Sequence, residues 1–399
     1  MKHIEALVER HAEELISLAL KIHAHPELGM EEHRASTWQT ELLETHGFDV
    51  MKPYFNLPTA SRAEYRGTKD GPTICFLSEY DALPELGHGC GHNLIAMVGV
   101  GAALASKPLV DKYGGRITII GTPAEETAGT KVPMAAGGVF SDVDVVMMAH
   151  PGFRHADCLK TSAMDAYQVE FFGKAAHAAS APHEGINALD ARIVFFNSLG
   201  LLRQQMEDHA RVHGVITHGG DAANIIPDYT AANLYVRSNR VSEVKALAKR
   251  IRSAMDGAAL ATGCTAKMSF SEENFKDTQT NNYLNELAAQ CIEEFTAEAL
   301  HRYGDTRSPG SSDLGDVSYV VPAIQMVFKI GEYDDPEGGF HTQHMVEAAA
   351  SEEALQSALQ FMRGLVYTTE KLLTEPEHLR AIKEEFLRTQ KEGANANPE

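Results

Sequence analysis

Three short apolar runs, TICFLS (73–78), RITIIG (116–121) and VDVVMMA (143–149), constrain this chain more than any other feature. Each is about six residues long, rich in β-branched or large apolar side chains, and does not alternate with polar residues. A run of that kind suits a strand buried on both faces, as in the interior of a parallel sheet covered by helices. Between the first two lies NLIAMVGVGAALAS (93–106), which predicts a buried helix with Asn93 near its start. Strand, helix, strand in this order is the pattern of an α/β fold. A fourth apolar run, AIQMVFKI (323–330), adds a strand late in the chain.

Around this frame the pattern changes twice. Residues 1–46 read as two amphipathic helices separated at His25-Pro26-Glu27-Leu28-Gly29. From 166 an alternating strand (166–172) is followed by a helix (185–206), two strands (212–218 and 229–238), a long helix (241–260) and a last strand (265–271). That order is βαββαβ, a ferredoxin-like unit compact enough to be an insertion. The expected architecture is α/β: a mixed, mostly parallel sheet flanked by helices, formed by 1–164 and 277–399, with an inserted βαββαβ lid over 165–276. After 280 the chain returns to helix, with a single helix expected over 343–373. The charged last 25 residues, ending in GANANPE, read as a frayed end.

Composition removes several function classes. With 44% hydrophobic and 23% charged residues over 399 positions, the chain can bury a sizeable core and is not disordered. Lys and Arg number 35 against 55 Asp and Glu, a net charge of −20, which argues against a nucleic-acid surface. A small anionic substrate stays compatible, because a few local cations outweigh a distant net charge. Five cysteines without a C-x-x-C pair do not form a disulfide framework and favour a reducing compartment. The N-terminus lacks the apolar core of a signal peptide, and no stretch of about 18 uncharged apolar residues occurs. A soluble, cytoplasmic protein with no membrane partner is the expectation.

Each apolar strand delivers possible metal ligands just past its carboxyl end, where open α/β sheets bind ligands. The first is followed by EYDALPELGHGCGHN (79–93), the second by TPAEE (122–126), the third by His150-Pro151-Gly152, and the fourth within about a dozen residues by GFHTQH (339–344). Glycines around Cys90 allow a tight loop to present a thiolate and the His92 imidazole to one centre. A buried, inert cysteine is the bland reading. Glu125 and Glu126 read either as a solvated acidic pair or as two carboxylates dividing labour, one on a metal and one on a proton. His150 reads either as a satisfied core histidine or as a ligand; His341 and His344 stay equal on sequence alone; His177 by itself carries little. Gly99-Val100-Gly101 begins like a dinucleotide fingerprint, but Leu104 holds the place of the third small residue. Gly310-Ser311-Ser312 lacks the spacing of a nucleophile elbow.

Taken together, EYDALP…GHGCGHN, GTPAEE, AHPG, GKAAHAAS, GINALDA, ANIIPD, LYVRS, GSSDLGDVS and FHT resemble the amidohydrolase branch of the aminoacylase and glutamate-carboxypeptidase metallopeptidases. The branch includes hippurate hydrolase, p-aminobenzoyl-glutamate hydrolase, auxin-conjugate hydrolases and β-alanyl-lysine dipeptidase-like enzymes. The likeness runs from about residue 14 to 373. It implies two divalent ions (Zn, Mn or Co) bridged by Cys90, with His92, Glu126, His150 and His341 completing the set. It implies Glu125 as general base, His177 as an oxyanion donor reaching the partner subunit's site, and Asn224 with Arg237 as the pair holding the substrate carboxylate. The wider family carries His-x-Asp where Glu79-Tyr80-Asp81 stands, so no ligand role passes to Glu79.

The expected activity is a metal-dependent amidohydrolase that cleaves the amide of an N-acyl, N-aroyl or N-aminoacyl amino acid through metal-activated water, with Glu125 taking the proton. The expected assembly is a homodimer through the lid. Three alternatives stand beside it: a dipeptidase of the same family, a metal-free cysteine hydrolase using Cys90 and His92, and a catalytically inactive binding protein on the same scaffold.

Overall fold

The computed structural model describes residues 1–332 and 339–396. Among them ten strands form: β1 (Asp49–Met51), β2 (Ser61–Arg66), β3 (Thr73–Ser78), β4 (Arg116–Gly121), β5 (Val145–Gly152), β6 (Ala163–Phe172), β7 (Arg211–His218), β8 (Tyr229–Ser238), β9 (Thr265–Phe270) and β10 (Ala323–Lys329). They make two sheets. In one the order is β1-β2-β4-β3-β5-β10; β4, β3, β5 and β10 run parallel, while β1 and β2 add an antiparallel edge. The expected mixed, mostly parallel sheet is therefore present. All six residues of β3 are buried, as its unbroken apolar run requires.

The helix His92–Tyr113 packs against β3 and is longer than the sequence suggests. It is apolar enough to cross a membrane, but 89% of its most apolar window is buried, which makes it a core helix. Leu94, Met97, Val98, Val100 and Leu104 lie in the core, each worth about 1.5–3 kcal/mol when taken out of water. The glycines that imitate a nucleotide fingerprint serve this packing: a Cβ at Gly99 would come 2.4 Å from the Leu77 carbonyl oxygen.

Four expectations need correction. The N-terminal segment forms three helices, Lys2–Glu9, Ala12–Ala24 and His33–Thr45. The extra break falls at Arg10-His11, where the His11 ring bonds Glu14 at 2.5 Å. β5 starts two residues later than read and runs on through His150, so that histidine lies within the strand. The helix expected over 343–373 divides into Gln343–Ala348 and Glu352–Thr374, because the Ser351 side chain caps the second from outside. The charged C-terminal segment is helical as far as it is described: Pro376–Ala396 is a helix that buries Ile382, while Glu385 accepts the backbone N–H groups of Asn282 and Tyr283, and residues 397–399 lie outside the described residues.

The second sheet, β7-β8-β6-β9, is wholly antiparallel and carries the helices Ala188–Leu202 and Val241–Thr262 in the order βαββαβ. The chain divides into two units, the first comprising Met1–Lys160, Thr278–Thr306 and Asp316–Glu399, the second Thr161–Asp277 with Arg307–Gly315. The second unit has its own core around Val169, Phe171, Phe195, Leu234 and Ile251.

Candidate metal centre

At the carboxyl end of β3 the chain turns through Gly87 (φ +88°) and Gly91 (φ +73°), both left-handed, before entering the helix at His92. A side chain at Gly91 would also strike Pro151, its Cβ 2.6 Å from Cγ. This tight entry sets Cys90 Sγ 3.5 Å from His150 Nε2. The other nitrogen of His150 lies 2.7 Å from the Pro151 carbonyl oxygen. Donation there leaves Nε2 with its lone pair turned to Cys90.

His92 is held the same way. Its Nδ1 lies 2.9 Å from Asp81 Oδ1, and its buried Nε2 has no hydrogen-bond partner among the described residues. Around that bare nitrogen stand Glu79 Oε2 at 3.6 Å and Glu126 Oε1 at 3.8 Å. Asp81 accepts a second bond, from the backbone N–H of Glu126 at 3.0 Å, so one carboxylate fixes both a ring and the acidic loop. Burial pushes the Asp81 carboxyl up, but the His92 charge and hydrogen bond overcome it and hold it below the ordinary range. Burial alone would lower His92; Asp81 holds it well above its ordinary value.

The acidic loop leaves β4 at Thr122. Ala124 sits in the left-handed region at φ +58°, and its N–H donates to buried Glu32 Oε1 at 2.8 Å. Thr59 Oγ1 donates to the other oxygen of Glu32 at 2.8 Å. Burial drives Glu32 upward. Glu126 Oε1 lies 3.2 Å from His341 Nε2, and this contact pulls Glu126 below the ordinary carboxylate range against the effect of burial. His341, at φ +59°, is half exposed and is raised by the Glu126 bond. His344 turns elsewhere, its Nε2 3.0 Å from the Glu332 carbonyl oxygen. Of the two histidines that sequence left equal, His341 is the one beside Glu126 and Cys90.

The donors form overlapping triads with ligand atoms within 4.8 Å of one another: Cys90, His92 and His150; Cys90, Glu126 and His341; His92, Glu125 and Glu126. Cys90 belongs to the first two. A cation about 2.0–2.3 Å from each donor separates neighbouring ligands by roughly 3.3–3.7 Å, and the spacings above fall around that range. The bare His92 nitrogen and the mix of thiolate, imidazole and carboxylate fit borderline divalent ions. Three further residues that sequence reasoning missed shape the site: Asp81, Glu32 and Lys131, whose Nζ lies 2.6 Å from Glu79 Oε1 with both side chains buried. A Glu-x-Asp ahead of the glycine loop was the one available signal; nothing in the sequence marks Lys131.

The remaining candidates lie in the second unit. His177 is exposed, and its Nδ1 accepts the backbone N–H groups of Ala179 and Ser180, both at 3.2 Å. A ring whose Nδ1 accepts carries its proton on Nε2, ready to donate. Asn224 is its neighbour, since the Asn224 carbonyl accepts the Ala178 N–H at 2.9 Å. Arg237 is elsewhere: it pairs with Met164 at the start of β6, whereas the His177 and Asn224 segments lie past Phe172 at its end. Eight residues of strand separate those ends by about 27 Å. Within one chain, Asn224 and Arg237 therefore stand at opposite ends of β6. Arg237 Nη1 instead donates to Ser311 Oγ at 3.1 Å.

The M20 peptidase dimerisation domain model matches residues 161–263. Xaa-Arg dipeptidase of Mus musculus is 38% identical over 392 residues, covering 95% of this chain and 90% of the relative. A p-aminobenzoyl-glutamate hydrolase component from Escherichia coli is 31% identical over 324 residues, covering 76% of this chain and 65% of the relative. The fold is shared with a dinuclear metal binding peptidase of the M20 family from Bacillus subtilis, at a TM-score of 0.68 and 21% identity, covering 90% of this chain and 98% of that one. Likeness of this extent to curated relatives establishes the family: the chain belongs to the M20 metallopeptidases and amidohydrolases and is a hydrolase of amide bonds.

Proposed function

We propose that the chain is a divalent-metal-dependent dipeptidase or N-acyl-amino-acid hydrolase whose substrates end in a free carboxylate. The observation that carries this reading is the pair of donor triads sharing Cys90, with Glu125 beside them. Cys90, His92, Glu126, His150 and His341 would hold the ions, which when bound supply Lewis acidity to a water nucleophile and to the amide carbonyl. Glu125 takes the proton of the attacking water and returns it to the leaving amine, a task typically worth about 10²–10⁴-fold. His177 donates its Nε2–H to the developing oxyanion. Arg237 exchanges its bond to Ser311 for the substrate carboxylate, which a planar guanidinium meets with two parallel bonds.

Among substrates, dipeptides with a basic C-terminal residue come first. The similarity to an Xaa-Arg dipeptidase spans nearly all of both chains, and a net charge of −20 favours the approach of cationic substrates. Dimerisation through the second unit is part of the same reading, supported by the dimerisation-domain match.

The metal-free cysteine hydrolase is disfavoured. A nucleophilic thiol needs a lowered pKa, whereas burial and the nearby Glu126 hold Cys90 well above its ordinary value.

The test is a panel of Xaa-Arg and Xaa-Lys dipeptides, p-aminobenzoyl-glutamate and N-acetyl amino acids, assayed by amine release before and after chelation. Activity lost to chelator and restored by zinc or manganese, with the basic dipeptides fastest, is expected. Activity indifferent to chelator would sink the metal reading; equal rates on all substrates would sink the substrate preference.

A further inference from the structure

Lys131 and Glu79 make an ion pair that nothing in the hydrolytic scheme uses. Lys131 is 0% exposed and Glu79 1% exposed, and the Nζ to Oε1 distance is 2.6 Å. Glu79 follows the last residue of β3, and Lys131 follows the loop that carries Glu125 and Glu126. That loop is closed by a hydrogen bond from Thr130 Oγ1 to the Pro123 carbonyl oxygen. The pair therefore ties together the two strand ends that supply His92 and the acidic residues.

Its orientation goes beyond what a structural tie requires. With Oε1 on Lys131, the other oxygen of Glu79 faces His92 Nε2 at 3.6 Å, and Oε2 has no hydrogen-bond donor among the described residues. A buried carboxylate oxygen and a bare imidazole nitrogen, facing each other across a gap of that width, leave room for a shared cation and offer each other no bond. Burying either ion of the pair without compensation is costly, so each holds the other in place.

We propose that Lys131 is a positioning residue of the metal centre: it aims Glu79 at the His92 side of the donor set, and the balance of the two charges sets how tightly that set holds a divalent ion. The proposal rests on the metal-centre reading above. Removing Glu79 takes a carboxylate from beside the donor set and leaves the Lys131 positive charge facing incoming cations, which weakens binding. Removing Lys131 leaves the Glu79 carboxylate uncompensated, and a divalent ion then relieves it, which strengthens binding. A purely structural ion pair gives no such opposition of sign.

The experiment measures the dissociation constants of zinc and manganese in the full-length protein by competition with a chromophoric chelator, for wild type, Glu79→Gln, Lys131→Met, Lys131→Arg and the double variant Glu79→Gln/Lys131→Met. Glu79→Gln should weaken binding about 10–100-fold, the usual range for a group supporting a ligand. Lys131→Met should tighten it, Lys131→Arg should match wild type, and the double variant should recover most of the affinity lost in Glu79→Gln. Should Lys131→Met fail to fold, recovery in the double variant still decides. Equal affinities in all folded proteins, or a double variant as weak as Glu79→Gln, would overturn this proposal alone. A wild type that binds neither ion would overturn the metal reading and this proposal with it.

Discussion

Asp81 touches no reacting atom, yet both the His92 ring and the Glu126 backbone depend on its carboxylate. Each oxygen accepts one N–H, which an amide cannot reproduce: in Asp81→Asn one of the two N–H groups would face an NH₂. The expected result is metal affinity lowered about 10–100-fold, with the far-ultraviolet circular dichroism unchanged. An unchanged dissociation constant would remove Asp81 from the site. The adjacent carboxylates divide differently. Glu126 contacts His341 and faces His92, while Glu125 joins a triad with His92 and Glu126 alone among the described residues. Glu125→Gln should therefore cut kcat by about 10²–10⁴ or more while elemental analysis finds the metal retained. Glu126→Ala should lose metal first. The reverse pattern would exchange their roles.

At the scale of elements, what was legible in the sequence follows from what each segment buries. β3, β4, β5 and β10 were readable because burial on both faces leaves an unbroken apolar run. β2 reads Ser-Arg-Ala-Glu-Tyr-Arg and was missed: Arg62 reaches buried positions only by pairing with Glu64 and Asp142, partners that the linear pattern does not disclose. The donors were legible for the same reason as the strands that carry them, whereas Glu32 and Lys131 act across long sequence separations and leave no local trace. The N-terminal break is a further case. Glu14 accepts from His11 at its own helix start and from His46 at the end of the helix His33–Thr45, latching two helices together. Burial pushes Glu14 up, but its two histidine partners hold its pKa below 4.5. A lowered carboxylate adds stability above that ordinary value and loses it as pH falls through the lowered one. Because the latch is a third exposed, its share is about 0.5–1 kcal/mol. Glu14→Gln should lower the urea midpoint at pH 7, and the difference from wild type should shrink as the pH is taken below 4.5. A difference that stays constant down to pH 3 would mean that the charge of Glu14 does not carry the latch.

For the whole molecule the decisive fact is the separation of candidate functional groups along the sheet of the second unit. His177 and Asn224 sit together beyond one end of β6, Arg237 at the other, about 27 Å away by strand rise. A dipeptide spans far less than that, so one substrate cannot meet all three from a single chain. The proposed two-fold dimer would resolve this if each active site took His177 and Asn224 from one subunit and Arg237 with Glu125 from the other. The second unit has surface suited to such pairing: β7 is an edge strand with Val215 63% and Ile216 48% exposed, and Leu201 on the helix Ala188–Leu202 is 76% exposed. The arrangement sorts the residues into two complementation groups. His177→Ala and Glu125→Ala should each be nearly inactive, and their co-expression should restore about a quarter of wild-type activity, since half of randomly formed dimers are mixed and each holds one whole site. Asn224→Ala should behave as His177→Ala does and rescue Glu125→Ala. Arg237→Ala should instead rescue His177→Ala and fail to rescue Glu125→Ala. If no pairing regains activity, or if Arg237→Ala rescues Glu125→Ala while His177→Ala does not, the sharing of sites between subunits is wrong. A wild-type chain that is monomeric and fully active at assay concentration would exclude the dimer itself.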